Sequence, residues 1–199
     1  MKIINLQQGT PEWLAWRQAG IGSSDIPIIL GVSPWTKPEK LLREKVTGVP
    51  ARKSNGAMRR GHDLEPVARA LYEAIMGIPV LPVCGEDDVR EWMKVSLDGW
   101  DSKNRITIEI KCPNKDDHKL ALDGKIPVKY QPQCDWQIGI SGSLLHHYVS
   151  YNPTSFAKSE EFAVVLYPRN EGEISRINSE AEKFWCRVVE EREKLAKSK

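Results

Sequence analysis

The sequence predicts an α/β domain, a mixed β-sheet flanked by helices, on three observations. After Gly61, the apolar residues Leu64, Val67, Ala68, Leu71 and Ile75 recur at helical spacing until Gly77 stops them. The period then falls to two. Met93, Val95 and Leu97 alternate with Lys94, Ser96 and Asp98, and Ile106, Ile108 and Ile110 alternate with Thr107, Glu109 and Lys111. Helical spacing returns near the C-terminus in Ile177, Ala181, Phe184, Trp185 and Val188.

Thr10-Pro11-Glu12 supplies a cap, a first-turn proline and a first-turn acid for a short helix through Trp13, Leu14 and Trp16 to Gly20. Gly22-Ser23-Ser24-Asp25 starts a second helix, whose apolar run from Ile26 to Leu30 is closed by Gly31. A third runs from Thr36 through Leu41 and Leu42 to Gly48, and the segment from Pro50 to Gly56 reads as a loop. The helix between Gly61 and Gly77 follows. Strands over 92–98 and 105–111 enclose turn chemistry from Gly99 to Asn104, so they are expected to lie side by side and antiparallel. A helix from Pro127 to Gly142, strand-like runs at 145–151 and 162–167, and a charged amphipathic helix from Ile174 to Ala196 complete the chain. His146 and His147, adjacent on a strand, must point to opposite faces and so cannot readily share a metal.

The 199 residues carry 29 Lys+Arg against 27 Asp+Glu, with 40% hydrophobic and 28% charged residues, which excludes a disordered polar tract and a fibrous repeat. At this length a single domain spanning residues 1–199 can bury a full core. No apolar run approaches the roughly 20 residues of a membrane helix, and the opening residues lack the apolar stretch of a secretion signal. Cys84, Cys112, Cys134 and Cys186 contain no C-x-x-C pair and no close triplet of the kind that holds an iron–sulfur cluster. Reduced thiols, a cytoplasmic location and no membrane partner are therefore expected. The charge is uneven: between Lys37 and Arg60 eight basic residues stand against two acidic ones, a distribution suited to a polyanion.

The strand from Arg105 sets three isoleucines on one face and Glu109 and Lys111 on the other, with Cα atoms about 6.6 Å apart. A buried carboxylate and ammonium cost desolvation unless they pair or meet a metal. Asp98 closes the preceding strand, so pairing of the two strands brings Asp98, Glu109 and Lys111 to one end of the sheet. Two carboxylates there suit Mg²⁺, which takes hard oxygen ligands. A lysine beside them can orient or deprotonate an attacking water and offset charge developing on a phosphorane. That combination fits phosphodiester cleavage; a solvent-facing Glu-x-Lys pair on an edge strand is the plainer alternative.

Ser96-Leu97-Asp98 followed by Glu109-Ile110-Lys111-Cys112-Pro113 resembles the (P)D…(D/E)-x-K signature of the restriction-endonuclease-like nucleases. More specifically it is similar to the phage lambda-type exonucleases, or YqaJ-like viral recombinases, with Leu97 where many members carry proline. The resemblance runs from Gly9 to Tyr167. Trp13-Leu14-Ala15-Trp16-Arg17 and Gly20 to Ile26 resemble that family's opening motif, which implies that Arg17 and Ser24 bind the 5′-phosphate of DNA. A serine and free amide hydrogens at a helix start, with a guanidinium nearby, make physical sense as an anion site. Arg60-Gly61-His62-Asp63-Leu64-Glu65-Pro66 matches a G-x-x-x-E segment and implies that Glu65 is the acid at the edge of the metal site. Tyr130-Gln131-Pro132-Gln133 resembles Y-x-x-Q, implying that Tyr130 and Gln133 reach the nucleophilic water or the scissile phosphate from one helix face. Pro132 between them is tolerable only in the first helical turn. Gln137, one turn on, is a weaker candidate for that face, and Trp136 reads as core.

The resemblance implies a restriction-endonuclease-like core and a 5′-to-3′ exonuclease acting on linear double-stranded DNA. Mg²⁺, or Mn²⁺ in its place, would be held by Asp98, Glu109, the Ile110 carbonyl and Glu65, while Lys111 activates water with support from Gln133 and Tyr130. It also implies a homotrimer, 5′-phosphorylated duplex ends as substrate, and a single-strand annealing protein that receives the 3′ overhang. Two alternatives remain open: an endonuclease or junction resolvase of the same fold, which needs no end-phosphate pocket, and an inert DNA-binding scaffold, which has no reason to bury such a charged cluster.

Overall fold

The structure, a computed structural model, describes residues 1–49, 56–154 and 157–198. Among them six strands form one mixed sheet in sequence order: β1 (Lys2–Ile4), β2 (Leu81–Glu86), β3 (Lys94–Asp101), β4 (Ile106–Lys111), β5 (Leu145–Tyr151) and β6 (Phe162–Pro168). Neighbours are antiparallel except β4 and β5, which run parallel. A parallel pair needs a crossover, which passes through α5 (Lys115–Leu122) and α6 (Gln131–Ser141). Helices α1 (Pro11–Gln18), α2 (Ile26–Ile29), α3 (Pro38–Thr47) and α4 (Gly56–Met76) precede β2, and α7 (Glu171–Lys197) follows β6. The expected mixed sheet flanked by helices is the fold observed.

The alternating strands give the sheet two apolar faces. Ile106, Ile108 and Ile110 of β4 join Val149 and Tyr151 of β5 beneath Ala68 and Tyr72 of α4. A second core gathers Val95 and Leu97 of β3 with Trp136 and Ile140 of α6, Ile26 and Ile28 of α2, Leu41 of α3, and Ile177 and Phe184 of α7. Trp136 is core, as read, and its indole N–H donates to the Lys94 carbonyl at 2.9 Å. Each such side chain contributes roughly 1.5–3 kcal/mol when fully buried, so α4 and α6 are clamped to the sheet from its two sides. His146 and His147 do face apart: His146 bonds Thr107 at 2.9 Å and His147 bonds Tyr72 at 2.7 Å, both buried.

Several boundaries differ from the sequence reading. The helix expected after Gly61 begins at Gly56 and carries Gly61 and Pro66 in its interior. Packing of Leu64, Ala68 and Tyr72 on the isoleucine face outweighs the local cost of glycine and proline. Residues 50–55 of the expected loop lie outside the described residues. The strand expected to stop at Asp98 continues to Asp101, and the turn falls at 102–105, where Arg105 takes a positive φ of 57°. Helix α6 starts at Gln131 rather than Pro127, which puts Pro132 in its first turn. Helix α7 starts at Glu171, capped by the Asn170 side chain, which accepts from the Glu173 amide. Strands β1 and β2 and helix α5 had not been read from the sequence.

The basic stretch is only partly a surface. Lys37, Lys40, Arg43 and Arg59 are exposed. Lys45 is buried and paired with Asp25 at 2.8 Å. Arg60 donates to the carbonyls of Cys112 and Pro113 and to Asn152, fixing the loop that leaves β4. Arg52 and Lys53 lie outside the described residues.

Candidate active site

The sheet changes register where the site lies. Between β2 and β3, Val83 pairs with Leu97 but Leu81 pairs with Trp100, so β3 carries one extra residue at Asp98-Gly99. Such a bulge re-aims a side chain and locally ends pairing. Gly99 fits because an added Cβ would stand 2.9 Å from Val80 Cγ2 and 3.3 Å from Ile108 Cβ. Beyond it, β3 and β4 pair only from Gly99–Ile108 to Asp101–Ile106. Asp98 bridges the gap that opens there: its Oδ2 accepts from the Ile110 amide at 2.7 Å, replacing a ladder hydrogen bond with a carboxylate. Asp98 is therefore at a strand bulge and not at a strand end.

Glu109 and Lys111 project from β4 on the side away from the isoleucines. Glu109 is 3% exposed, and its two oxygens are fully engaged. Oε1 accepts from the Lys111 ammonium and from Gln133 Nε2 at 2.5 Å, and Oε2 accepts from Gln137 Nε2 at 2.5 Å. Gln133 and Gln137 stand one turn apart on α6, so one helix face presents both amides to one carboxylate. Gln137 thus belongs to the cluster as fully as Gln133, and the i, i+4 spacing was its visible signal. Tyr130 sits at the cap of α6, and the Lys111 ammonium lies 5.3 Å from the centre of its ring.

Glu65 reaches the same region from α4. It pairs with Arg69, whose Nε donates to the Asp98 carbonyl at 2.8 Å. Burial raises the Asp98 carboxyl well above the usual carboxylate range, and the negative charges of Glu109 and Glu65 raise it further. For Lys111, burial opposes the charge, but Glu109 and Asp98 outweigh it and hold the ammonium above the usual lysine range. Burial likewise pushes the Tyr130 phenol up.

The donor set fits a hard divalent cation. Two carboxylates and the Ile110 carbonyl are oxygen ligands of the kind Mg²⁺ takes, and burial, with the charges of Glu109 and Glu65, raises the Asp98 carboxyl even with Lys111 beside it. Among the described residues no three acidic, histidine or cysteine side chains are drawn around one centre, because Glu65 is turned onto Arg69 and Glu109 onto Lys111.

Arg17 and Ser24 also come together. The Arg17 guanidinium donates to Ser24 Oγ at 2.6 Å and lies 4.6 Å from the centre of the Trp13 ring. Trp13 Nε1 in turn donates to Ser96, two residues before Asp98 on β3. Behind Ser24, buried Asp25 accepts from the Gly22 amide at 3.0 Å and from Lys45 at 2.8 Å. Burial works against the Asp25 charge, yet Lys45 and Arg17 hold its carboxyl below the usual range.

The fold is of the restriction-endonuclease-like class, with the acid, acid and lysine of its signature at the point where two sheet strands part. Residues 12–143 match the YqaJ-like viral recombinase domain, and the chain belongs to that family. It is 28% identical over 141 residues to "Uncharacterized protein YqaJ" of Bacillus subtilis (strain 168), a match covering 69% of this chain but only 44% of that relative. The structure is similar to an alkaline exonuclease (LHK-Exo) from Laribacter hongkongensis, with a TM-score of 0.82 and 26% identity, covering 95% of this chain and 97% of that one. The same exonuclease in complex with dAMP gives a TM-score of 0.82 at 27% identity over the same shares. A phage-related exonuclease from Haemophilus somnus 129PT shares the fold at a TM-score of 0.66 and 16% identity, covering 86% of this chain and 96% of that one.

Among the described residues, no helix is long and apolar enough to cross a membrane. All four cysteines are free.

Proposed function

We propose that this protein is a Mg²⁺-dependent exonuclease that degrades one strand of linear double-stranded DNA from its 5′ end. The observation that carries the reading is the Asp98 carboxylate, turned into the gap between β3 and β4 beside Glu109 and Lys111. Asp98, Glu109 and the Ile110 carbonyl would hold Mg²⁺, or Mn²⁺ in its place, with Glu65 at the edge of the site. The cation, when bound, polarises the phosphate and lowers the pKa of water. Lys111 orients and activates the attacking water and offsets charge on the phosphorane. Gln133 and Gln137 fix the Glu109 carboxylate, and Tyr130 backs Lys111 at the site rim.

Arg17 and Ser24 would grip the terminal 5′-phosphate, and a fixed distance from that grip to Asp98 would set polarity without reading bases. The reading includes a cytoplasmic homotrimer around the duplex and a single-strand annealing protein that takes up the 3′ overhang.

The test is to incubate the protein and Mg²⁺ with linear duplexes, with and without 5′-phosphates, and with closed circles. Loss confined to linear, phosphorylated DNA is expected. Nicked circles would make the protein an endonuclease or resolvase, and intact DNA throughout would make it an inert scaffold. Arg17→Ala should lower the preference for phosphorylated over unphosphorylated ends by roughly 10- to 100-fold, the loss of a charge-assisted hydrogen bond. Ser24→Ala should act in the same direction with a smaller effect. A preference unchanged in both variants would place the phosphate elsewhere.

A further inference from the structure

Helix α4 carries a charged pair whose geometry the proposed chemistry leaves unexplained. Glu65 and Arg69 stand four residues apart, so their side chains share one face. An acid four residues before a base is also the orientation that stabilises a helix, so local physics favours the ion pair. Between them in the chain, Ala68 is fully buried, as is Tyr72 one turn on, in the core that contains Ile108 and Ile110. That packing fixes the backbone of α4. A change of partner by Glu65 is then a swing of its own side chain and nothing more.

Arg69 has two partners, and they belong to different elements. Its Nε donates to the Asp98 carbonyl at 2.8 Å, and its Nη2 donates to Glu65 Oε1. The first bond falls in the β3 bulge, where Asp98 turns its carboxylate to the Ile110 amide. The guanidinium therefore links Glu65 to the residue that the proposed site uses as a metal ligand. The charge of Glu65 is felt there, since it helps to raise the Asp98 carboxyl.

This pair can exchange. The side chains of Arg69 and Glu65 are 15% and 28% exposed, and an ion pair so placed favours the closed arrangement by only roughly 2- to 5-fold. A doubly charged ion at Asp98 attracts a neighbouring carboxylate more strongly than a partly solvated guanidinium does. The Nε bond to the Asp98 carbonyl does not involve Glu65, so Arg69 keeps its place when Glu65 leaves it. We propose that Arg69 is a positioning residue that holds Glu65 in reserve, off the cation position in the metal-free protein, and releases it as a further ligand when a divalent cation binds at Asp98. Held in this way, Glu65 adds no unpaired negative charge beside Asp98 and Glu109 until there is a cation to meet it. This inference rests on the reading of the site as a divalent-cation site, and it is tested without DNA and without turnover.

The experiment measures the dissociation constant of the full chain for Mn²⁺ by calorimetry at pH 8. Arg69→Gln, whose amide can still donate to the Asp98 carbonyl but carries no charge, should bind Mn²⁺ roughly 2- to 5-fold more tightly, because no ion pair has to be broken. Arg69→Lys should bind close to wild type. Glu65→Gln should bind more weakly, and adding Arg69→Gln to it should bring no gain. An equal gain in both backgrounds is long-range charge alone and overturns the proposal. So does a loss of affinity in Arg69→Gln at an unchanged melting temperature, the 10- to 100-fold loss typical of a partner that orients a ligand. A second measurement needs no change at Arg69: its Nε–H resonance, assigned by its absence from Arg69→Lys, should move on saturation with Mg²⁺ in wild type and not in Glu65→Gln. A resonance that moves equally in both overturns the proposal too. The two readings fail separately. Wild-type protein that takes up no Mn²⁺ refutes both, whereas uptake with the expected coupling but no cleavage of linear DNA refutes the nuclease and leaves the role of Arg69 standing.

Discussion

Lys111→Ala is expected to lower phosphodiester cleavage by roughly 10²–10⁴-fold, the usual contribution of a positioned proton-transfer group, while DNA binding stays close to wild type. The side chain touches Glu109 and the Tyr130 ring, so its removal takes away the ammonium beside Glu109 and leaves the Arg17–Ser24 pair in place. Removing one member of a buried pair also costs stability, by about 3–5 kcal/mol where nothing compensates. Here Gln133 and Gln137 still donate to Glu109, which limits that cost. Lys111→Arg separates the two roles. It keeps the positive charge and hence the fold, but a guanidinium does not give up its proton, so cleavage should remain far below wild type. Single-turnover rates under saturating protein check this; a Lys111→Ala enzyme that turns over normally would end the account of the site.

Asp98→Asn should abolish cleavage and, against the usual trend for buried substitutions, raise the melting temperature of the metal-free protein. Burial and the charges of Glu109 and Glu65 lift the Asp98 carboxyl well above its ordinary value. A group whose folded pKa is raised binds its proton more tightly in the native state. Its stabilising contribution is present at low pH and lost as pH rises through the folded value. Above that value the ionised carboxylate is a liability, which asparagine removes while its side-chain oxygen still accepts from the Ile110 amide. A gain of about 2–4 °C at pH 8 corresponds to about 1 kcal/mol in a chain of this size. The same shift fixes the pH dependence of cation binding. The proton competes for Asp98, so affinity for Mg²⁺ should fall as pH drops below the raised pKa. Thermal unfolding at pH 6 and pH 8 checks the sign, and a variant less stable than wild type at pH 8 would contradict it.

The charged cluster was more legible in the sequence than the architecture around it. Ile106, Ile108 and Ile110 against Thr107, Glu109 and Lys111 could be read because β4 is buried on both faces by different partners, and a charged pair on one face of such a strand stands out. Asp98 was found for the right residue type but given the wrong position. A bulge adds one residue to a strand, and a pattern of period two then looks as though it has stopped. Strand β2 escaped because Pro82 and Gly85 break its pattern and its first two residues are exposed. Strand β1 has three residues, too few for any period. Helix α5 had a usable signal in Asn114, whose side chain accepts from the Asp117 amide, and in two acids of the first turn. Helix α4 was cut short at its start because Gly56 and Gly61 argue locally against a helix that tertiary packing enforces. Trp35 carried no pattern at all: it is one aromatic in a proline-flanked loop, and its contact with Tyr130, ninety-five positions on, is visible only in the fold.

The central claim is that Asp98 and Glu109 together hold a divalent cation. Titration of Mn²⁺ followed by the loss of its free electron paramagnetic resonance signal tests this without DNA and without turnover. Wild-type protein at pH 8 should take up Mn²⁺ saturably and release it to excess Mg²⁺, and the doubly substituted Asp98→Asn, Glu109→Gln protein should take up none at that site. Equal uptake by the two proteins would contradict the account.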